Sequence, residues 1–225
     1  MLTLIGCGTF SADEGGPATS DASTGGPDGA ASDADADAGA TSNNDGGGTE
    51  TGASDPLCNG APNCKRVVFA TSEKYNGNLG GRSGANQTCQ TLAGASPLPR
   101  IKGRQFLAYL SVVNDVVGAN LTKGGGPYVR ADGMQIASDW ADLFTSGLTV
   151  PIALDEKGAS VPVGELAWTG TTSSGTLSGD YCAGWLDATS PQGRGMVGDV
   201  NDALFWTNRA TSTCGELRHL YCFEY

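Results

Sequence analysis

Residues 58–225 read as one α+β domain of short strands and short helices, stapled by disulfides. Three observations predict it. The apolar runs are brief and divided by glycine-rich polar loops, and they never settle into the βαβ alternation of a parallel sheet. Six of the seven cysteines fall in this stretch, an even number that suits a disulfide framework. Three of those six, with Trp185 and Trp206, crowd into residues 180–225, so the core is tied at that end. With 168 residues the stretch is long enough for a sizeable core.

Taken in order, Cys58 and Cys64 flank a tight turn and suit a small disulfide loop. A zinc half-site there would need a second thiolate or imidazole pair, and the only histidine is His219. Residues 65–71 form a first strand. A helix follows, with Ser83 as N-cap and Gly94 as its stop, and Cys89, Leu92 and Ala93 at i, i+3 and i+4 place Cys89 on its buried face. Residues 104–111 are a strand and 112–121 a short helix. Residues 128–138 are extended with a turn at Asp132-Gly133, 139–144 are a short helix closed by Gly147, and 150–154 are extended. Residues 166–170 enter the core before a polar loop, 171–179, leads to Tyr181 and Cys182.

The N-terminal quarter has a different character. Residues 1–57 hold ten of the 24 acidic residues and no Lys or Arg, whereas the remainder carries 14 acidic against 13 basic residues, a net charge of about −1. The acidity is therefore a solvation device of the tail, and a near-neutral domain offers little to nucleic acid or to other polyanions. Residues 8–57 are almost entirely Gly, Ala, Ser, Thr, Asp and Asn. They cannot bury enough apolar surface to offset roughly 1–2 kcal/mol of backbone ordering per residue, so a disordered linker is expected.

Leu4-Ile5-Gly6-Cys7 resembles the lipobox of bacterial lipoproteins, in which the cysteine thiol carries a diacylglycerol. That resemblance makes residues 1–7 the remnant of a lipoprotein signal and Cys7 the lipidation site. A complete signal would carry an apolar stretch of roughly 7–15 residues, where six residues precede Cys7 here; a late start codon, or an apolar N-terminus with a free thiol, are the alternatives. With Gly8 next in line, the resemblance implies an outer-membrane or cell-surface, extracytoplasmic location, where disulfides persist.

Cys89 on the first helix, Trp168-Thr169-Gly170 on a core strand, Cys182 with Trp185, and Cys214 followed by Cys222-Phe223-Glu224 resemble the C-type lectin-like fold. Within it the similarity is to endostatin-like domains of collagens and to bacterial secreted lipoprotein domains, and it extends over residues 66–225. The resemblance implies mostly antiparallel strands and the pairs Cys89–Cys222 and Cys182–Cys214, with Cys58–Cys64 as an N-terminal loop.

The chemistry is sparse. The calcium-dependent sugar motif of lectins of this fold has no counterpart: the loop before Cys182 lacks proline, and its Trp-Asn-Asp strand is at best Trp206-Thr207-Asn208. Trp206 and Asn208 are nonetheless the candidate ligand contacts, and Trp168, Trp185 and Trp206 could form a stacking platform or simply fill the core. Asp199, Asn201 and Asp202 could donate part of a calcium site, although Asx-turns explain the same residues; no other cofactor is implied. His219 would need a nucleophile such as Ser173 or Ser178, and nothing in the sequence positions one. Asp180 and Asp187 are the pair to consider for glycosidase chemistry, but any acidic surface supplies such pairs.

These readings lead to a surface-anchored binding module for adhesion or recognition, without evident catalysis. Its partners are a protein or glycan ligand and, through the lipid anchor, the membrane. The loops 171–179 and 188–202 form its expected binding face. An extracellular enzyme, such as a hydrolase, and a structural envelope protein are the alternatives.

Overall fold

The computed structural model describes residues 64–117, 121 and 126–225. The lipobox at 1–7, the linker at 8–57 and Cys58 lie outside the described residues. Cys64 is disulfide-bonded.

The domain is a mixed α+β structure around an eight-stranded, mostly antiparallel sheet. Its spine is the antiparallel pair β1 (Arg66–Ala70) and β8 (His219–Glu224), in which Phe69 lies opposite Cys222. β2 (Phe106–Ala108) pairs antiparallel with β8, and β5 (Leu166–Trp168) pairs with it in parallel through Ala167 and His219. Beyond β1 lie β3 (Tyr128–Arg130) and β4 (Gln135–Ala137), and beyond β5 lie β6 (Arg194–Asp199) and β7 (Ala210–Thr213). Five strand pairings are antiparallel, and β1–β3 and β5–β8 are parallel.

Every residue of β1 and β8 is buried because both faces of the sheet are covered. Side chains of a strand alternate between faces, so Val67, Phe69, Leu220 and Cys222 join one core cluster, while Val68, Ala70, Tyr221 and Phe223 join the other. The first cluster packs against helix α1 (Gly81–Ala95) through Ala85, Cys89 and Ala93. The second is a row of aromatics, Tyr109, Trp206, Phe223, Trp140 and Tyr128, with neighbouring ring centroids about 5–6 Å apart. Burial on both sides is why these strands read as unbroken apolar runs rather than alternating ones.

Two disulfides with both cysteines among the described residues staple this arrangement: Cys89–Cys222 joins α1 to β8, and Cys182–Cys214 joins the helical turn Cys182–Trp185 to the end of β7. Both are the pairs implied by the resemblance.

Several element boundaries depart from expectation for local reasons. Helix α1 begins at Gly81 and not after Ser83, since Gly80 and Gly81 take left-handed φ of 72° and 70°, and it runs through Gly94 to Ala95. The strand over 104–111 ends at Ala108, because Leu110 N–H turns back to Ala108 O and Ser111 N–H leaves β8 for Thr169 O. The helix expected over 112–121 opens as a tight turn, with Val112 and Asp115 exchanging backbone bonds and Asn114 at φ 63°; its residues 118–120 lie outside the described residues. The Asp132-Gly133 turn falls where expected, between β3 and β4. The segment 188–202 is not a loop throughout: residues 194–199 form β6, where Gly195 and Gly198 let the chain lie flat against Trp168 and the Trp206 backbone.

Candidate functional site

Three segments converge on one groove of about 260 Å³. The first is the helical turn Asp142–Thr145 with Ser146 and Gly147 behind it. Asp142 N–H donates to Asp139 Oδ1 at 2.9 Å, and Asp142 Oδ2 accepts from both the backbone and the hydroxyl of Ser138, which sets the turn's start. The turn presents Phe144, half-buried, with Thr145 and Ser146 exposed beside it.

The second segment is a small polar hairpin, residues 171–177. Thr172 N–H donates to Thr176 O at 2.8 Å and Gly175 N–H to Thr172 O at 3.0 Å, while the hydroxyls of Thr172, Ser174 and Thr176 bond to one another at its tip. Gly175 is required: its φ is 79°, and a Cβ there would meet the Phe144 ring at 2.9 Å. The hairpin therefore lies directly over that ring and carries Ser173 to the groove.

The third segment is Leu204–Thr207. Asp202 Oδ1 accepts from the N–H groups of Leu204 and Phe205 at 2.8 and 3.1 Å, and Asp199 N–H donates to Phe205 O. These bonds fold the chain back on β6 and leave Leu204 and Phe205 exposed, at 62% and 42%, with Arg209 stacked over the Phe205 ring at 5.3 Å. Thr207 is buried, its carbonyl accepting from Thr169 Oγ1 and its hydroxyl donating to Tyr109 Oη. The groove is thus apolar at its floor, with hydroxyls at its rim, and among the described residues no charged side chain lines it. A wider, more open depression of about 430 Å³ runs beside α1, lined by Glu73, Tyr75, Gln87 and Thr88.

The expected ligand contacts are only partly at this surface. Trp206 lines the groove but is almost wholly a core residue: 1% exposed, its ring stands 4.8 Å from Tyr109 and in a stack with Phe223. The reason is register, since a Cβ on Gly198 would overlap the Trp206 carbonyl, so the tryptophan is drawn onto β6 and its ring into the core. Asn208 is half-buried and does not line the groove. Trp168 and Trp185 are core residues whose indole N–H groups donate to Tyr75 O at 2.7 Å and Ser111 O at 3.0 Å. Phe144, Ser146 and Leu204 were not readable as site residues, because only the third dimension brings their three segments together.

Asp199, Asn201 and Asp202 stand together on the turn after β6 but are engaged locally. Asp199 Oδ1 accepts from Asn201 N–H, Asn201 Nδ2 donates to Pro162 O, and the two backbone bonds to Asp202, Phe205 first, hold its carboxyl below the usual range. Among the described residues no group of three or more His, Cys, Asp or Glu side chains is placed to hold a metal.

His219 is buried with Nδ1 2.6 Å from Thr71 O, which places a proton on Nδ1 and the lone pair on Nε2. Among the described residues Nε2 has no hydrogen-bond partner, and it faces Glu165 Oε2 at 3.6 Å. Burial pushes the imidazole below its ordinary value. Its hydrogen-bonding environment includes neither Ser173 nor Ser178; the Ser178 hydroxyl donates to Asp180 O. Asp187 is spent on Thr189 and Ser190, whose N–H and hydroxyl bonds hold its carboxyl low.

No family model matches the sequence, and no curated protein matches it. Among the described residues no helix is long and apolar enough to cross a membrane.

Proposed function

We propose that this chain is a surface-anchored recognition protein whose domain, C-type lectin-like in organisation, binds a neutral glycan-like ligand in the groove between the 142–147 turn, the 171–177 hairpin and Leu204–Thr207. The groove carries the reading. A half-buried aromatic ring, an exposed leucine and a rim of serine and threonine hydroxyls, with no charge among them, match a ligand that offers C–H faces and hydroxyls together. The fold reading is supported by the two disulfides, which tie α1 to the final strand and the Cys182 turn to the end of β7. Cys7 carries the lipid, and residues 8–57 hold the domain away from the membrane; a lipobox-like start followed by a charged, apolar-poor stretch supports that order.

Two experiments test the two halves separately. Screening the full chain against arrayed glycans is expected to find a binder whose affinity falls at least tenfold in Phe144→Ala and in Leu204→Ser. A bound glycan indifferent to both substitutions removes the groove assignment. Mass spectrometry of the Cys7 peptide, from protein isolated with its native envelope, is expected to show a diacylglyceryl thioether; an unmodified thiol removes the anchor.

A further inference from the structure

The depression beside α1, about 430 Å³, shares no lining residue with the groove. One wall is the segment that leads from β1 to α1 and carries Glu73 and Tyr75; the other is α1 itself, through Gly84, Gln87, Thr91 and Leu92. Helix positions three and four apart form one stripe, and this one borders the face on which Ala85, Cys89 and Ala93 are buried. Both walls are held by backbone contacts. Tyr75 N–H donates to Arg218 O at 2.7 Å, and Tyr75 O accepts from Arg218 N–H at 2.9 Å and from Trp168 Nε1 at 2.7 Å. At Gly84 a Cβ would stand 2.1 Å from Leu79 O, so α1 is seated directly on the chain that enters it.

Among the described residues Glu73 is the one charged side chain that lines the depression. Tyr75 Oη donates to its Oε2 at 3.3 Å, while Oε1 accepts no hydrogen bond and the carboxylate joins no ion pair among the described residues. Lys74, the adjacent cation, is spent on Glu165 Oε1 at 2.7 Å. Burial, and next the Glu73 charge, push the Tyr75 phenol up to about 12, so at neutral pH it keeps its proton and holds the carboxylate in place. The depression thus combines a carboxylate with no cation bonded to it, an aromatic ring, the Gln87 amide, the Thr91 hydroxyl and an apolar flank at Leu92.

We propose that this depression is a binding site for a primary alkylammonium group, with Glu73 taking the charge, Gln87 and Thr91 accepting its remaining N–H groups, and its stem lying between Leu92 and the Tyr75 ring. A primary ammonium brings one positive charge and three donors; Glu73 Oε1, Gln87 Oε1 and Thr91 Oγ1 offer one negative charge and three acceptors. Its alkyl stem suits an aromatic ring beside a leucine. A guanidinium fork needs both carboxylate oxygens, and Tyr75 already holds one. A calcium ion needs roughly six to eight oxygens, and among the described residues no group of three or more His, Cys, Asp or Glu is placed to hold a metal. The site rests on its own residues and does not depend on the ligand proposed for the groove.

Butylammonium chloride is the probe, with n-butanol as its uncharged counterpart and sodium chloride holding the ionic strength constant. Added to ¹⁵N-labelled full-length protein, it is expected to shift the amide resonances of Gln87, Thr91 and Leu92 saturably and together. Glu73→Gln, a nearly isosteric change at an exposed position, is expected to fold and to weaken the midpoint at least tenfold; Tyr75→Phe, which keeps the ring, is expected to weaken it at least threefold. Equal midpoints in wild type and Glu73→Gln, or no saturable shift in wild type, overturn the site. n-Butanol acting as strongly as butylammonium, or ethylguanidinium binding more tightly, overturns the ammonium assignment. With that assignment upheld, tighter binding of Nα-acetyl-lysine methylamide than of butylammonium gives the site to a lysine side chain of a partner protein, and the reverse order gives it to a free amine.

Discussion

Glu224 shows how much one residue's setting decides. Burial pushes its carboxyl above the ordinary range, against the pull of Val67 N–H and Arg104, and the pair sits almost wholly out of solvent, with side-chain exposures of 1% and 3%. Removing one partner of such a pair costs about 3–5 kcal/mol, so Glu224→Ala should lower unfolding free energy by that much in chemical denaturation. The exposed Arg130–Asp132 pair is the control: Asp132→Asn should cost less than about 1 kcal/mol in the same assay. His219 gives a pH dependence. Its folded value lies below its unfolded value, so between the two the unfolded chain binds more protons, and the stability the neutral imidazole provides is whole above about pH 6.5 and lost as pH falls through the folded value. Tm profiles of wild type and His219→Gln should therefore differ in slope below about pH 6.5 and run parallel above it. Coincident profiles throughout would mean that His219 does not titrate differently on folding.

At the scale of elements, three glycines separate backbone freedom from close approach. Gly94 lies in α1 with nothing within 4 Å of an added Cβ, so Gly94→Ala should stabilise by about 0.5–1 kcal/mol through helix propensity. On β6, a Cβ at Gly195 would stand 2.8 Å from the Trp168 ring and 2.9 Å from Cys182 Sγ. Those are side chains that yield a little, and Gly195→Ala should cost about 1–3 kcal/mol. At Gly198 the obstacle is the Trp206 carbonyl, backbone already held by the strand, and Gly198→Ala should give no folded protein on size exclusion. Equal stabilities for the two β6 variants would show that the 204–207 segment can move away from β6, and the groove would then be adjustable rather than fixed.

For the whole molecule the disulfides set the scale. Cys89–Cys222 spans 133 residues and Cys182–Cys214 spans 32. On loop-closure entropy their removal should cost about 5 and about 4 kcal/mol, against a total stability of about 5–15 kcal/mol for a typical domain. The Cys89→Ala/Cys222→Ala double variant should therefore be mostly unfolded at 37 °C, and Cys182→Ala/Cys214→Ala folded but with a clearly lower denaturation midpoint. The reverse order would place the stabilisation in local packing around the Cys182 turn, where Trp168 and Trp185 meet at 5.7 Å.

Some of this was legible in the one-dimensional pattern because its cause is local or compositional. The α+β class, the first strand, the helix carrying Cys89 and the Asp132-Gly133 turn rest on apolar spacing, turn chemistry and cysteine count, which a short window of residues contains. Helix α1 begins three residues early because two glycines could take a left-handed conformation that Ser83 could not signal. Residues 194–199 read as loop because glycines that serve close packing look, in isolation, like glycines that serve flexibility. Only the tertiary structure decided that Trp206 fills a core, that Phe144, Ser173 and Leu204 meet across a groove, and that Arg66 and Glu224 are buried charges. Each of these depends on strand register and chain crossing between residues far apart in sequence, and no local pattern carries that information.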